Sequence, residues 1–225
     1  MIIEPTNFKF AIGVPNSWTH VPSSFFDSFI QMYKPNFVYI TKKNGPLDGL
    51  RNAIVEDTLK QGCTHLLMMD VDQVYPIDTI PKLLKHNLPI VHAQVHRRYP
   101  PFDPLMYEGE IGNFKSKVDY EDGELVEVDA CGTGCVLYQT KVFQTINPPW
   151  FEFVKNPNKL NGDVVGEDIW FCTQVKEAGY KIYVDTDVEV VHLTMIGITK
   201  EFFRMYQELL KTQRNLETKT IIGGN

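Results

Sequence analysis

Two carboxylates one residue apart, Asp70 and Asp72, close the apolar run Thr64-His65-Leu66-Leu67-Met68-Met69. Acids so placed repel each other unless a cation sits between them. Oxygen ligands favour magnesium, manganese or calcium, and magnesium is usually held by one or two carboxylates plus substrate phosphates. The plainer reading of the triplet is strand-end turn chemistry, because Asp is common in turns. Further along the chain stand a second acidic pair, Glu167-Asp168, and a histidine, His192, after the apolar stretch Val188-Glu189-Val190-Val191. The pair also suits helix capping, since acids in a first turn are favoured by the macrodipole. Neutral imidazole is a usable manganese ligand, although a lone strand-end histidine more often packs in a core. Arg51 follows the loop Gly45–Gly49, where its fork suits a phosphate or a base as readily as its charge suits solvent. His96-Arg97-Arg98-Tyr99 is a basic, aromatic cluster that could hold a diphosphate, hold an anionic acceptor, or be surface charge.

The elements that position these groups follow from periodicity. An apolar run as short as 66–69 is what a strand covered on both faces looks like, and helices on both faces imply a mainly parallel sheet. Ligands of such sheets bind beyond the carboxyl ends of the strands, which is where Asp70 and Asp72 fall. Before them, 8–14 reads as a strand stopped by Pro15-Asn16-Ser17, a candidate ligand loop. A helix after Pro22, striped by Phe25, Phe26, Phe29, Ile30 and Tyr33, ends at Pro35. A strand over 37–40 and a helix over 47–61, closed by Gly62, come next. After the acids, a helix over 77–86 and a strand over 90–95 complete an α/β alternation.

The rhythm then breaks. Glu121-Asp122-Gly123-Glu124 reads as a hairpin turn, and Gly132-Thr133-Gly134 leads into a strand over 135–138, its glycines allowing backbone to approach a ligand. A short helix over 141–146 precedes Trp150 and Phe151, candidates for stacking on a sugar ring or for core packing. Residues 152–165 are polar and read as a lid-like loop. A helix opens at Gly166 and closes at Gly179, two strands cover 181–184 and 188–192, and an amphipathic helix covers 199–213.

A length of 225 residues fits one domain, and 43% hydrophobic with 22% charged residues is the composition of an ordinary globular protein. The net charge of −6 disfavours nucleic acid or an anionic membrane as the main partner. The start has no basic segment followed by an apolar one, and no run approaches a membrane span, which predicts a soluble, cytoplasmic protein. Cys63, Cys131, Cys135 and Cys172 lack zinc-type spacing and predict reduced, buried thiols.

The order of these motifs resembles the nucleotide-sugar-dependent glycosyltransferases of the A-type (GT-A) fold, especially the large family-2-like group with one α/β domain. The resemblance runs from Phe8 to His192. It rests on the opening strand with Pro15-Asn16-Ser17, Arg51-Asn52, Asp70-Val71-Asp72, Gly132-Thr133-Gly134, Glu167-Asp168 and His192. It implies a three-layer α/β fold with a small antiparallel hairpin excursion, and one catalytic domain over 1–225. Within it, about 8–95 would be the nucleotide-binding half, about 96–198 the acceptor half with a lid near 152–165, and about 199–225 a terminal helix and tail. It implies a nucleoside diphosphate sugar as donor, with Pro15, Asn16, Arg51, Asp70, Arg97 and Arg98 around it. Asp72 would bind Mn2+ or Mg2+, His192 would be a further ligand, and Asp70 would contact the ribose or the metal indirectly. In inverting members an acid at the second pair is the general base, which points to Asp168, with Glu167 in contact with the acceptor or in support. In a retaining enzyme Asp168 would position substrate instead.

The acceptor is then a hydroxyl on a metabolite, glycan, protein or modified nucleic-acid base. Two other functions share the layout. A sugar-nucleotide nucleotidyltransferase should carry a glycine-rich basic loop after the first strand, which Gly13-Val14-Pro15-Asn16 does not provide. A non-catalytic carbohydrate-binding domain of the same fold has no need of intact acids at 70, 72 and 168.

Overall fold

The protein is described by a computed structural model covering residues 8–156 and 164–222. In chain order the elements are β1 (Phe10–Asn16), α1 (Ser23–Gln31), β2 (Phe37–Lys43), α2 (Leu47–Lys60), β3 (His65–Met69), β4 (Gln73–Val74), α3 (Thr79–Lys85) and β5 (Ile90–Val95). There follow β6 (Met106–Glu108), β7 (Lys115–Ser116), β8 (Leu125–Val128), β9 (Ala130–Cys131), β10 (Cys135–Gln139) and α4 (Lys141–Thr145). The last are β11 (Val154–Lys155), β12 (Val164–Val165), α5 (Glu167–Glu177), β13 (Ile182–His192) and α6 (Lys200–Ile222). Contacts divide the chain into two compact units, Met1–Leu193 and Thr194–Asn225.

The first unit is built on an eight-stranded sheet in the order β2-β1-β3-β10-β5-β13-β4, with β8 also paired to β13. Strands β2, β1 and β3 are parallel, as are β5 and β13, while β10 runs antiparallel between β3 and β5. Alternation along β3 explains the continuous apolar run. Leu66 and Met68 enter one core with Ile54 and Val55 of α2 and Phe171 and Val175 of α5. Leu67 and Met69 enter the other with Phe25 next to Phe29 of α1 and Ile80 and Leu83 of α3. The four apolar side chains of β3 are fully buried, each worth about 1.5–3 kcal/mol of transfer free energy. All four cysteines are free and buried.

Several expected elements change shape. Pro15 and Asn16 do not stop β1; they are its last two residues, paired in register with Lys42 and Lys43. The two strands expected over 181–192 are one strand, because Asp185-Thr186-Asp187 forms a bulge rather than a turn. Asp185 is buried there against His86 Nε2 at 2.7 Å, and Thr186 Oγ1 donates to the Glu124 carbonyl at 2.9 Å. The turn at 121–124 forms, with Gly123 at φ 81° and Glu124 N donating to Glu121 O, but it leads into β8, which pairs with β13. The antiparallel hairpin lies earlier, between β6 and β7. Of the lid expected near 152–165, residues 157–163 lie outside the described residues, and the flanks pair as β11 and β12. Trp150 and Phe151 are both buried, in a ring cluster with Phe143 and Phe171, so neither faces a sugar.

The second unit contains α6, which begins where the amphipathic pattern predicts and runs on to Ile222; Phe203, Met205, Tyr206 and Leu209 are exposed on it. Among the described residues no helix is long and apolar enough to cross a membrane.

Candidate active site

The carboxyl edge of the parallel strands gathers most of the candidate residues. Asn16 ends β1, Asp70 and Asp72 follow β3, His96 follows β5, and His192 ends β13. Because β10 runs the other way, its beginning, Gly132 to Gly134, meets the same edge, with Asp70 N donating to the Gly134 carbonyl at 2.9 Å.

Arg51 is the hub. It is 2% exposed on α2, with Nη2 3.1 Å from both Asp70 oxygens, Nε 3.2 Å from Glu167 Oε1, and Nη1 3.3 Å from the Thr133 carbonyl. Burial works against its charge, but Asp70 and Glu167 outweigh that and hold its pKa above the ordinary arginine value. The forked contact expected with a phosphate or base is therefore spent inside the protein, joining β3, the approach to β10, and α5. Its neighbour Asn52 clamps the next segment, accepting from Trp150 N and Phe151 N through Oδ1 and donating to Phe151 O through Nδ2.

The two acids of the triplet have different side-chain partners. Asp70 is held by Arg51, and burial, ahead of that attraction, leaves its pKa raised. Asp72 has its own partners, Arg98 Nη1 at 2.7 Å and His192 Nε2 at 3.4 Å, both on Oδ2. Burial alone would raise the Asp72 pKa; His192 first, then Arg98, overcome it and hold the carboxyl below the usual range. The repulsion that argued for a shared cation is relieved by two separate groups, a guanidinium on each acid.

His192 Nδ1 donates to the His96 carbonyl at 2.8 Å, which fixes the ring and directs Nε2 at Asp72. That carbonyl-anchored arrangement is how metal-binding imidazoles are usually oriented. Among the described residues no group of three or more His, Cys, Asp or Glu side chains is placed to hold a metal ion. Asp72 and His192 thus fit a half-site, one oxygen and one nitrogen, of the kind that phosphate oxygens of a substrate complete.

Glu167 and Asp168 occupy the first turn of α5 but differ in setting. Glu167 is buried on Arg51, with Oε1 3.2 Å from its Nε. Asp168 is partly exposed beside Gly132, with Oδ1 accepting from Ile169 N at 2.8 Å. Burial of its surroundings, then the negative charge of Glu167, push its carboxyl up to about 7.

Of the remaining candidates, Asn16 is 7% exposed and turns its Oδ1 to Trp18 N at 3.0 Å, so it shapes the turn after β1. Pro15 is buried within the strand. Arg97 lies over the Tyr99 ring at 5.3 Å and is hydrogen-bonded to Tyr107, whose phenol feels the charge of Asp168. Gln73 and Tyr75 were not legible as site residues. The Tyr75 hydroxyl lies 2.7 Å from the Asp70 carbonyl and 3.1 Å from that of Gly134, locking the turn after β3 to the start of β10. Gln73 is 1% exposed, and a Cβ at Gly134 would lie 1.9 Å from its Nε2. Gly134→Ala should therefore overpack this junction and cost about 1–3 kcal/mol in a denaturant melt; an unchanged midpoint would show that Gln73 can move aside. A cavity of about 530 Å3 opens at the opposite, amino edge, lined by residues such as His65, Asn87, Gln139 and Lys141, and includes none of the candidates.

Neither a protein-family profile nor a curated protein matches the sequence. Solved structures do. A197 from STIV is 18% identical over 84% of this chain and 87% of its own, with a TM-score of 0.58. GalNAc-T7, crystallised with UDP, GalNAc and Mn2+, is 10% identical with a TM-score of 0.59. The fold is GT-A. The match takes in 85% of this chain but only 45% of GalNAc-T7. The GT-A frame gives the antiparallel β10 and the late strand β13 their place, since they bring Gly132–Gly134 and His192 to the edge where the triplet lies.

Proposed function

We propose that this protein is a metal-dependent glycosyltransferase that moves a sugar from a nucleoside diphosphate sugar to a hydroxyl acceptor. The observation that carries the reading is the pairing of Asp72 with a carbonyl-anchored His192 at the ligand edge of a GT-A sheet. GalNAc-T7 of the same fold was crystallised with UDP, GalNAc and Mn2+, which favours such a donor and such an ion here. Asp72 and His192 would hold Mn2+ or Mg2+, whose bound form supplies Lewis-acid neutralisation of the diphosphate leaving group. Arg97 and Arg98 present the basic charge that binds the donor phosphates. Asp168, half ionised near neutrality, takes the proton from the acceptor hydroxyl in an inverting transfer. Glu167 and Arg51 hold Asp168 and Asp70 in place without touching substrate. The strand course of Pro15 and Asn16 leaves no phosphate-cradling loop after β1, which disfavours the nucleotidyltransferase alternative.

A thermal-shift screen of nucleoside diphosphates with and without Mn2+ tests the reading. A ligand at about 100 times its Kd adds about 2.7 kcal/mol, or about 5–10 °C for a chain of this size. Asp72→Ala should abolish the Mn2+-dependent part of that shift. A protein whose melting no nucleotide moves, with or without metal, is not this enzyme.

A further inference from the structure

We propose that Arg98 competes with the divalent cation for Asp72, so that cation and donor diphosphate bind cooperatively; this rests on the donor and metal reading above. Asp72 Oδ2 lies 3.4 Å from His192 Nε2, so a cation held by these two side chains would draw on that oxygen. That oxygen already receives Arg98 Nη1 at 2.7 Å. A divalent cation held by the same atom would set its charge against the guanidinium, and the like charges would repel. One of them must leave, and Arg98 can do so. Its side chain is 43% exposed, whereas that of Asp72 is 13% exposed.

The loop beneath Arg98 need not move with it. His96 Nδ1 donates to the Phe102 carbonyl at 2.8 Å, Arg97 N to Asp103 O at 2.9 Å, and Phe102 N to Tyr99 O at 3.0 Å. The same loop root supplies the His96 carbonyl that fixes His192. The metal's imidazole ligand is thus held by the segment that carries the metal's competitor. A bare cation displaces Arg98 into water, where it gains no new partner. A cation arriving with a diphosphate gives the freed guanidinium two phosphate groups to fork onto, the geometry arginine binds best. Linkage then requires each ligand to strengthen the other.

Isothermal titration of Mn2+, alone and with UDP or GDP present, reads this directly, with circular dichroism reporting the fold of each variant. Wild type should bind Mn2+ weakly alone and about 5–150-fold more tightly with the nucleotide that it accepts. Arg98→Ala should bind Mn2+ alone several-fold more tightly than wild type, with the nucleotide's enhancement reduced towards one. Arg98→Lys should fall between, and Asp72→Ala should bind no Mn2+ at this site. Mn2+ binding by Arg98→Ala no tighter than by wild type overturns the competition, and so does absence of Mn2+ binding from both. Failure of both nucleotides to bind counts against the donor reading instead, while the comparison of Mn2+ alone still decides the role of Arg98.

Discussion

Replacing Arg51 by methionine lowers the melting temperature by roughly 6–20 °C, the consequence of about 3–5 kcal/mol lost when a buried charge is left without its partner. The reason is the hub geometry. Asp70 and Glu167 have side chains 23% and 7% exposed, and their shared counterion is the one guanidinium. Methionine fills the volume but leaves two carboxylates and the Thr133 carbonyl unanswered. The deficit should depend on pH. Asp70, whose pKa burial already raises with the guanidinium in place, loses without Arg51 the attraction that opposes that rise. A raised pKa stabilises the folded state below the unfolded value, and that support is lost as pH rises through the folded one. The variant should therefore approach wild type in acid and fall furthest behind at neutral and alkaline pH. Arg51→Lys should rescue only part, since an ammonium has no fork to reach three partners on three elements. If the melting temperature of Arg51→Met stays within about 2 °C of wild type across this range, Arg51 is free for a ligand after all.

Asp168→Asn should lower transfer by about 10²–10⁴-fold while leaving the nucleotide-dependent thermal shift intact, because the amide keeps the shape but cannot accept the proton. Wild-type transfer should rise from the acid side through about pH 7, as Asp168 ionises, and the variant should lose that limb. Stability moves in the opposite sense. With a folded pKa near 7 against about 3.9 unfolded, Asp168 supports the fold fully only below the unfolded value, and that support is gone once pH passes 7. Asparagine, never charged, should raise the melting temperature at pH 8 above that of wild type. A variant that transfers at the wild-type rate removes Asp168 from the base role, and a retaining transfer is then the form to examine.

Much of this arrangement was legible in the sequence where it depended on local pattern. The four apolar residues from Leu66 to Met69 read as a strand buried on both faces, which places the acids after them at its carboxyl end. The partners of Arg51 were not legible. They lie 19, 82 and 116 positions away, and nothing in a helix residue's neighbours announces contacts of that range. The direction of β10 was hidden for another reason. A strand covered on both faces has the same apolar signature whether it runs parallel or antiparallel. Asp185-Thr186-Asp187 separates two apolar stretches in the sequence, and the register shift that keeps them in one strand shows only in the pairing with β5. Trp150 and Phe151 show the same ambiguity, since an aromatic pair looks alike in a sugar platform and in a core.

The antiparallel course of β10 has a consequence for how such a molecule can diversify. The chain leaves this edge at the end of β5 and returns to it at the start of β10, two neighbouring strands, after pairing β8 with β13 on the way. The segment between them is a cassette with both terminals on one side of a fixed chassis. Residues added at its outer bend between Glu108 and Lys115 do not shift the register of any sheet strand, and doubling such a loop costs only about 0.6 kcal/mol of closure entropy. Chain can be added there while the acids, the hub arginine and the strand-end histidine keep their places.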